Sequence, residues 1–238
     1  MREKWITLGL FAVISASSFG ESHGAGREGN SARPSSEQCE LLGEVSCERE
    51  NLGTSKEPKF RCESISFSVE GPTKEIAAKV AIASELSWCK NSIYWSGRRF
   101  RAGDPRAKIK VVVAAFSGSG QTHYSFVSRV DSEGNVVSRE DPTNFRMFLR
   151  GDENSLLHDL VPHEVNHMVM ATLFQQEIPL WANEGASVNQ ESRFQREIRK
   201  TKLKASLRDG PPSLVELLEQ TKYPKDGDEN NRFYTLSF

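Results

Sequence analysis

The sequence lacks the features that would assign it to several large classes. It carries no excess charge of one sign: 31 Lys and Arg face 32 Asp and Glu, for a formal net charge of −1. That balance removes the electrostatic case for a nucleic-acid or polybasic membrane binder. No apolar run beyond the N-terminus approaches the roughly 20 residues needed to span a bilayer. There is no G-X-Y repeat, heptad or fixed period, which excludes collagen, coiled coil and solenoid. The glycines of residues 116–121 (FSGSGQ) lack the spacing of a GxGxxG or P-loop fingerprint, so no phosphate site is expected there. Cysteine is sparse, with four residues and no C-x-x-C pair, which argues against a cysteine zinc site or a redox motif.

What is present is enough for one core. Hydrophobic residues make up 37% and charged residues 26% of 238 positions, the composition and length of one domain, or a domain with a tail. Residues 1–4 carry Arg2, Glu3 and Lys4, an apolar stretch fills 5–16 (WITLGLFAVISA), and Ser17, Ser18 and Gly20 follow. This is the layout of a secretory signal peptide over 1–20, cleaved after Ser18 or Gly20. Cleavage after Gly20 removes Arg2 and Lys4 against Glu3 and leaves a mature charge near −2. The expected location is secreted, or periplasmic and cell envelope, with no membrane span after cleavage. In an exported chain, Cys39, Cys47, Cys62 and Cys89 suggest two disulfides, with three pairings open.

Residues 21–38 (ESHGAGREGNSARPSSEQ) have no apolar period and form an expected disordered lead-in, with His23 solvated in it. Residues 39–63 form a cysteine-containing segment, irregular or short-stranded, and 64–238 the main domain. Phe67-Ser68-Val69 predicts a short strand ended by Gly71-Pro72. Thr73 caps a helix reaching about Tyr94, with Ile76, Val80, Ala83 and Trp88 on its apolar face. Residues 109–115 (IKVVVAA) predict a buried strand. Asp131 to Asn135 reads as a hairpin turn between 125–130 and 136–137. Residues 144–150 (NFRMFLR) alternate, placing Phe145, Met147 and Leu149 on one face. From Ser155 the pattern is helical to the end. Strands first and helices after indicate an α+β fold.

The chemistry lies in His163-Glu164-Val165-Asn166-His167, an HExxH motif. Residues four apart share a helix face, so His163 and His167 can converge on one Zn²⁺. Glu164 sits about 100° round the helix. It is poorly placed as a co-ligand and well placed to hold a water beside the ion. Val161, Val165, Met168, Val169 and Thr172 fall opposite the histidines, and Leu160, Met170 and Phe174 beside them, so the helix is apolar nearly all round and buried. Pro162 fits only a first turn, which places the helix start near Asp159. By composition, HExxH arises by chance in about one chain in a hundred of this size. Asp159, Glu177, Glu184 and Glu191 are the acidic candidates for a third ligand. A helix returning antiparallel after residues 175–180 brings Glu184 opposite the histidines, while Glu191, two turns on, overshoots.

HEVNH, a gap of sixteen residues and the glutamate of WANEGAS resemble the gluzincin zinc-metallopeptidases, and more narrowly the bacterial peptidase MA-like group with its HExxH…W-x-N-E-G-x-A pattern. The likeness is strongest over 144–188 and extends weakly to 211–218 and to Tyr223-Pro224. It does not cover the cysteine segment. The resemblance implies a zincin-like fold, a small mixed or antiparallel sheet packed on the HExxH helix with a helical C-terminal part. It implies one zinc bound by His163, His167 and Glu184, with Glu164 as general base hydrolysing a peptide or protein substrate. It further implies that Phe233 to Ser237 open a helix that continues in the family. The sequence stops at Phe238, so a short or cut-short form lacking the distal cleft wall is expected. Tyr234 is then a candidate donor to a developing oxyanion, its alternative being a packing tyrosine.

Residues 144–150 are the candidate edge for an extended peptide. Arg146 and Arg150 read first as solvated charges and second as substrate-carboxylate binders. His123 and His158 have no partner spacing. Residues 193–204 form a basic helix with Phe194, Ile198 and Leu203 at helical spacing, read as a solvated face. The alternative to a peptidase is a catalytically incompetent, zinc-bound envelope or binding protein of the same fold. Intact Glu164 favours the enzyme.

Overall fold

The computed structural model describes Cys39 and residues 44–50, 59–100, 108–114, 118–126, 128–208 and 213–237. The expected signal peptide and lead-in lie outside the described residues. Among the described residues eight strands form: β1 (Ser46–Glu50), β2 (Lys59–Glu63), β3 (Phe67–Gly71), β4 (Ile109–Ala114), β5 (Ser119–Ser125), β6 (Ser128–Val130), β7 (Val136–Arg139) and β8 (Thr143–Arg150). Six of them make one sheet in the order β1-β2-β3-β4-β8-β5, and β6 and β7 pair separately. The helices are α1 (Lys74–Ser96), α2 (Glu153–Ser155), a π-helical turn (Leu156–Leu160), α3 (Val161–Phe174), α4 (Leu180–Val188), α5 (Arg193–Arg208), α6 (Leu214–Glu219) and α7 (Gly227–Ser237). The class is α+β, and the sheet is mixed.

β3 and β4 pair in parallel, a geometry that needs a crossover, and α1 supplies it. Thr73 starts α1 by accepting the Ile76 N–H at 3.1 Å, and Gly97 ends it at a left-handed φ of 70°. The α1 residues Ala77, Val80, Ala81 and Trp88 and the α3 residues Val161, Val165, Met168 and Val169 join Phe67, Val69, Val111, Val113, Met147 and Leu149 in one core. Each fully buried Val or Met there contributes about 1.5–3 kcal/mol. Both long helices therefore cover the same face of the sheet. The other face is open: Lys110, Arg146, Phe148 and Arg150 are exposed. The valine run of β4 reads as a strand buried on both faces, but only alternate residues are buried.

The disulfides are Cys39–Cys89 and Cys47–Cys62. Cys47 and Cys62 face each other across β1 and β2, and Cys39 ties its segment to α1. Such bonds persist in an oxidising compartment. Among the described residues, no helix is long and apolar enough to cross a membrane.

Three expectations need correction. Residues 144–150 are not a free edge: β8 lies between β4, its parallel neighbour, and β5, its antiparallel one. Among the described residues the sheet's edge strands are β1 and, next to β8, β5. Its glycines suggest a loop, yet Ser119, Gly120 and Gln121 pair with Arg150, Leu149 and Phe148. Nor does the helical run start near Asp159. It begins at Glu153, capped by Asp152, whose carboxylate accepts the Ser155 N–H at 3.0 Å. It passes Pro162 because the preceding turn is widened, with the Val161 N–H bonding the carbonyl of Leu156, five residues back. A π turn relieves the ring's clash with the carbonyl four residues back.

Candidate metal centre

α3 is sunk in the core from His163 to Ala171, so its polar side chains are buried as well. One donor atom from each of His163, Glu164 and His167 lies within 4.8 Å of the others, a buried His-Glu-His group able to hold a metal ion. Buried polar groups of this kind need partners, and the surrounding elements supply them in an ordered way.

α4 brings Glu184, fully buried, against both rings. Its Oε2 is 3.4 Å from His163 Nε2 and its Oε1 3.6 Å from His167 Nε2. These separations exceed a good hydrogen bond. They match two ligands on one tetrahedral ion, which at about 2.0–2.1 Å from the metal stand about 3.3–3.4 Å apart. Glu184 Oε2 has no hydrogen-bond partner despite its burial. A bound cation would satisfy it. Glu164 also lies close enough to ligate, but Glu184 is the carboxylate that faces both Nε2 atoms, and Glu164 is engaged elsewhere.

The opposite ring nitrogens are occupied. His163 Nδ1 lies 2.9 Å from Glu191 Oε1. Arg199 on α5 donates to both Glu191 oxygens, at 2.6 and 2.5 Å. His167 Nδ1 lies 3.0 Å from Asn183 Oδ1 and 3.1 Å from Ser187 Oγ. Each Nδ1 therefore has a hydrogen-bonding partner and each Nε2 faces Glu184, the arrangement that orients metal-ligating histidines.

Of the other acidic candidates, Asp159 accepts the Ser192 N–H at 3.1 Å and Glu177 is exposed. Glu191 does overshoot the ligand position, and its place is behind His163.

Glu164 is fixed from the free edge strand. Thr122 Oγ1 donates to its Oε2 at 2.7 Å and contacts its backbone carbonyl oxygen at 3.1 Å. Gly120, two residues along β5, leaves the space that the carboxylate fills. On the far side, the Tyr223 hydroxyl donates to Glu184 Oε1, and the Tyr223 ring stacks on Tyr234 at 6.0 Å. Arg146 and Arg150 lie on the sheet face away from α3, and His123 and His158 are exposed. Phe194 is 75% exposed, so it does not share the packing side of α5 with half-buried Ile198 and Leu203.

The charge balance favours a cation. Burial pushes the His163 pKa down, but Glu184, Glu191 and Glu164 outweigh it and raise it to about 10. Burial works against ionising Glu184 as well, yet His167, His163 and the Tyr223 hydroxyl hold its carboxyl below the usual range. Burial opposes ionisation of Glu191 too, and His163 and Arg199 keep it low. Burial first, then the neighbouring carboxylates, raise both Tyr223 and Tyr234, so both hydroxyls stay protonated.

Gly120, Thr122 and Arg199 carry no sequence signal that singles them out, and Tyr223 has only its place in the weak Tyr223-Pro224 likeness. Asn183 had one, as the neighbour of Glu184 in the motif. No protein-family model matches the chain, and no curated protein and no solved structure matches it either.

Proposed function

We propose that the chain is an exported, zinc-dependent peptidase of the gluzincin type with a zincin-like fold. The observation that carries this is the Glu184 carboxylate, 3.4 and 3.6 Å from the Nε2 atoms of His163 and His167. Two imidazoles and one carboxylate make a donor set suited to zinc and leave a position open for chemistry. A zinc ion held by these three residues supplies Lewis acidity, polarising a scissile carbonyl and acidifying water.

Glu164, oriented by Thr122, takes the water proton and returns it to the leaving amine, a role worth about 10²–10⁴-fold. An extended peptide adds to the free edge of β5 through backbone hydrogen bonds, which places it beside Glu164. Tyr234, or Tyr223 beside it, donates to the developing oxyanion, which requires a protonated hydroxyl.

The test is metal content of the mature chain, wild type beside Glu184→Ala, followed by a peptide library on wild type and Glu164→Gln. About one zinc per chain, lost in Glu184→Ala, is expected. Glu164→Gln should keep the zinc and lose turnover. Zinc without turnover in the wild type would identify a non-catalytic, zinc-bound envelope protein. No zinc in the wild type would sink the reading.

A further inference from the structure

The long helices leave one face of the sheet uncovered, and its charges are distributed unevenly. On β2 and β3 each carboxylate has a cation: Glu63 pairs with Lys108 at 2.7 Å and Glu70 with Arg61 at 3.1 Å. On β4 and β8 the cations lack such partners. Lys110, Arg146 and Arg150 are exposed, and among the described residues no acidic side chain pairs with any of them.

Strand register concentrates these charges. Lys110 lies directly beside Arg146 in the parallel β4–β8 pair, about 4.8 Å away at strand spacing. Like charges so placed repel. Solvation alone does not call for that apposition, since an acid at either position would relieve it. Arg150 lies four residues further along β8 on the same face, about 13 Å from Arg146. Between them Phe148 is 42% exposed, beside half-buried Val112 of β4. From β5 the His123 ring meets Phe148 in a T-shape, with centroids 5.8 Å apart. One strand face thus presents a cation, an apolar ring and a second cation in register.

That order selects a ligand. An extended polypeptide repeats its side chains on one face every two residues, at the same rise as β8. A carboxylate, an apolar side chain and a second carboxylate at alternate positions therefore match Arg146, Phe148 and Arg150 one to one. A guanidinium takes a carboxylate as a bidentate fork. Three cations are few for a nucleic acid, whose affinity grows with the number of phosphates neutralised. The net charge of −1 gives a long polyanion no attraction beyond the patch. A lipid surface would gain from the charges but makes no use of their spacing.

We propose that the open face of β4, β8 and β5 is a docking surface for an acidic polypeptide segment, held extended over β8 with carboxylates on Arg146 and Arg150 and an apolar side chain on Phe148. Lys110 adds positive charge at the Arg146 end. The surface lies on the sheet face away from α3 and needs neither a metal nor hydrolysis, so it stands or falls apart from the peptidase reading.

The probe is a labelled peptide with Glu-Ser-Leu-Ser-Glu at its centre, beside a Gln-Ser-Leu-Ser-Gln control, added to the ¹⁵N-labelled full chain. Amide shifts should map to β4, β8 and β5. Fluorescence anisotropy should show the Glu peptide binding about 2–30-fold more tightly than the control, the range for two exposed ion pairs. The difference should shrink in high salt and vanish in the double variant Arg146→Gln, Arg150→Gln. Lys110→Gln should weaken the Glu peptide without lowering the melting temperature, because it relieves repulsion. No binding, equal binding of the two peptides, or shifts that map elsewhere overturns the proposal. So does tighter binding of phosphatidylglycerol vesicles or of a single-stranded oligonucleotide that the double variant loses, which would assign the face to a lipid surface or a nucleic acid.

Discussion

Gly120 on the free edge strand and Glu164 on the metal helix leave no room for a side chain between them. A Cβ at position 120 would overlap Glu164 Oε1 and stand 2.7 Å from its Cγ and Cδ. Gly120→Ala should therefore push the carboxylate out of place. A displacement of about 1 Å at a catalytic group costs about 10²-fold in rate. The expected outcome is a drop of that order in kcat/KM with metal content unchanged, because the atoms nearest that Cβ all belong to Glu164 rather than to His163, His167 or Glu184. Peptide hydrolysis measured beside bound zinc checks it, and an Ala variant of full activity would remove Glu164 from the mechanism.

Glu191 is the outer partner of His163 Nδ1, itself clamped by Arg199. Glu191→Gln keeps the shape and discards the charge. Removing such a partner typically weakens metal binding by about 10–100-fold. Chelator competition for zinc should show a loss in that range, and an unchanged affinity would make Glu191 a packing residue only.

Protonation of His163 should show in the stability of the metal-free protein. Its folded pKa, raised to about 10, lies above the ordinary 6.5, so the proton favours the folded state. That contribution is complete below about pH 6.5 and is lost as pH rises toward about 10. With chelator present, Tm should fall over this window. A metal ion takes the proton's place on Nε2, so the zinc-loaded protein should lose this dependence, and zinc uptake near pH 7 should release about one proton. Melting curves across pH, with and without zinc, and calorimetry in buffers of different ionisation enthalpy read both effects.

Much of this was legible in the sequence because it follows from local periodicity. The 3.6-residue pattern marks α3 as buried all round, Thr73 marks the start of α1, and HEVNH with WANEGAS brings three donors to one point. What stayed hidden depends on contacts across the fold. Gly118 and Gly120 look like loop residues because glycine usually marks a turn. Here the glycine at 120 admits a neighbour's carboxylate to a strand edge. Tyr223 reaches Glu184 over 39 residues with no spacing to announce it. Arg199 sits in a helix that reads as a solvated basic face, yet its guanidinium turns inward to Glu191. The disulfide pairing, set by strand register and helix docking, has no local signal either.

Glu85 on α1 is a buried carboxylate held by hydroxyl and amide donors. It accepts from Ser64 Oγ at 2.9 Å, from Ser66 Oγ at 3.1 Å and from the Ser66 N–H, closing the link between β2 and β3. Glu85→Ala leaves these donors buried and unsatisfied, at about 1–3 kcal/mol for each that finds no other partner. A destabilisation of about 2–4 kcal/mol in urea melts is expected, with zinc affinity unaffected in the fraction that folds. A cost below about 0.5 kcal/mol would mean water or a rearranged turn satisfies the serines.

Gly185 sets two effects of opposite sign against each other. In a helix interior, Gly→Ala is favourable by about 1 kcal/mol from backbone propensity alone. At this position a Cβ would overlap the carbonyl oxygen of Ser237 and stand 3.1 Å from its carbon, where α7 meets α4. The obstructing atoms are backbone, so no side-chain rotation relieves the contact, and overpacking of this kind costs about 1–3 kcal/mol. The steric term should win. Gly185→Ala should lower Tm and displace α7, and with α7 the Tyr234 ring that stacks on Tyr223. Loss of turnover should then exceed loss of zinc, because Glu184 stays on α4 while the hydroxyls beyond it move. A variant that melts higher than wild type would show that α7 does not dock on Gly185 in solution, and would detach both tyrosines from the proposed oxyanion role.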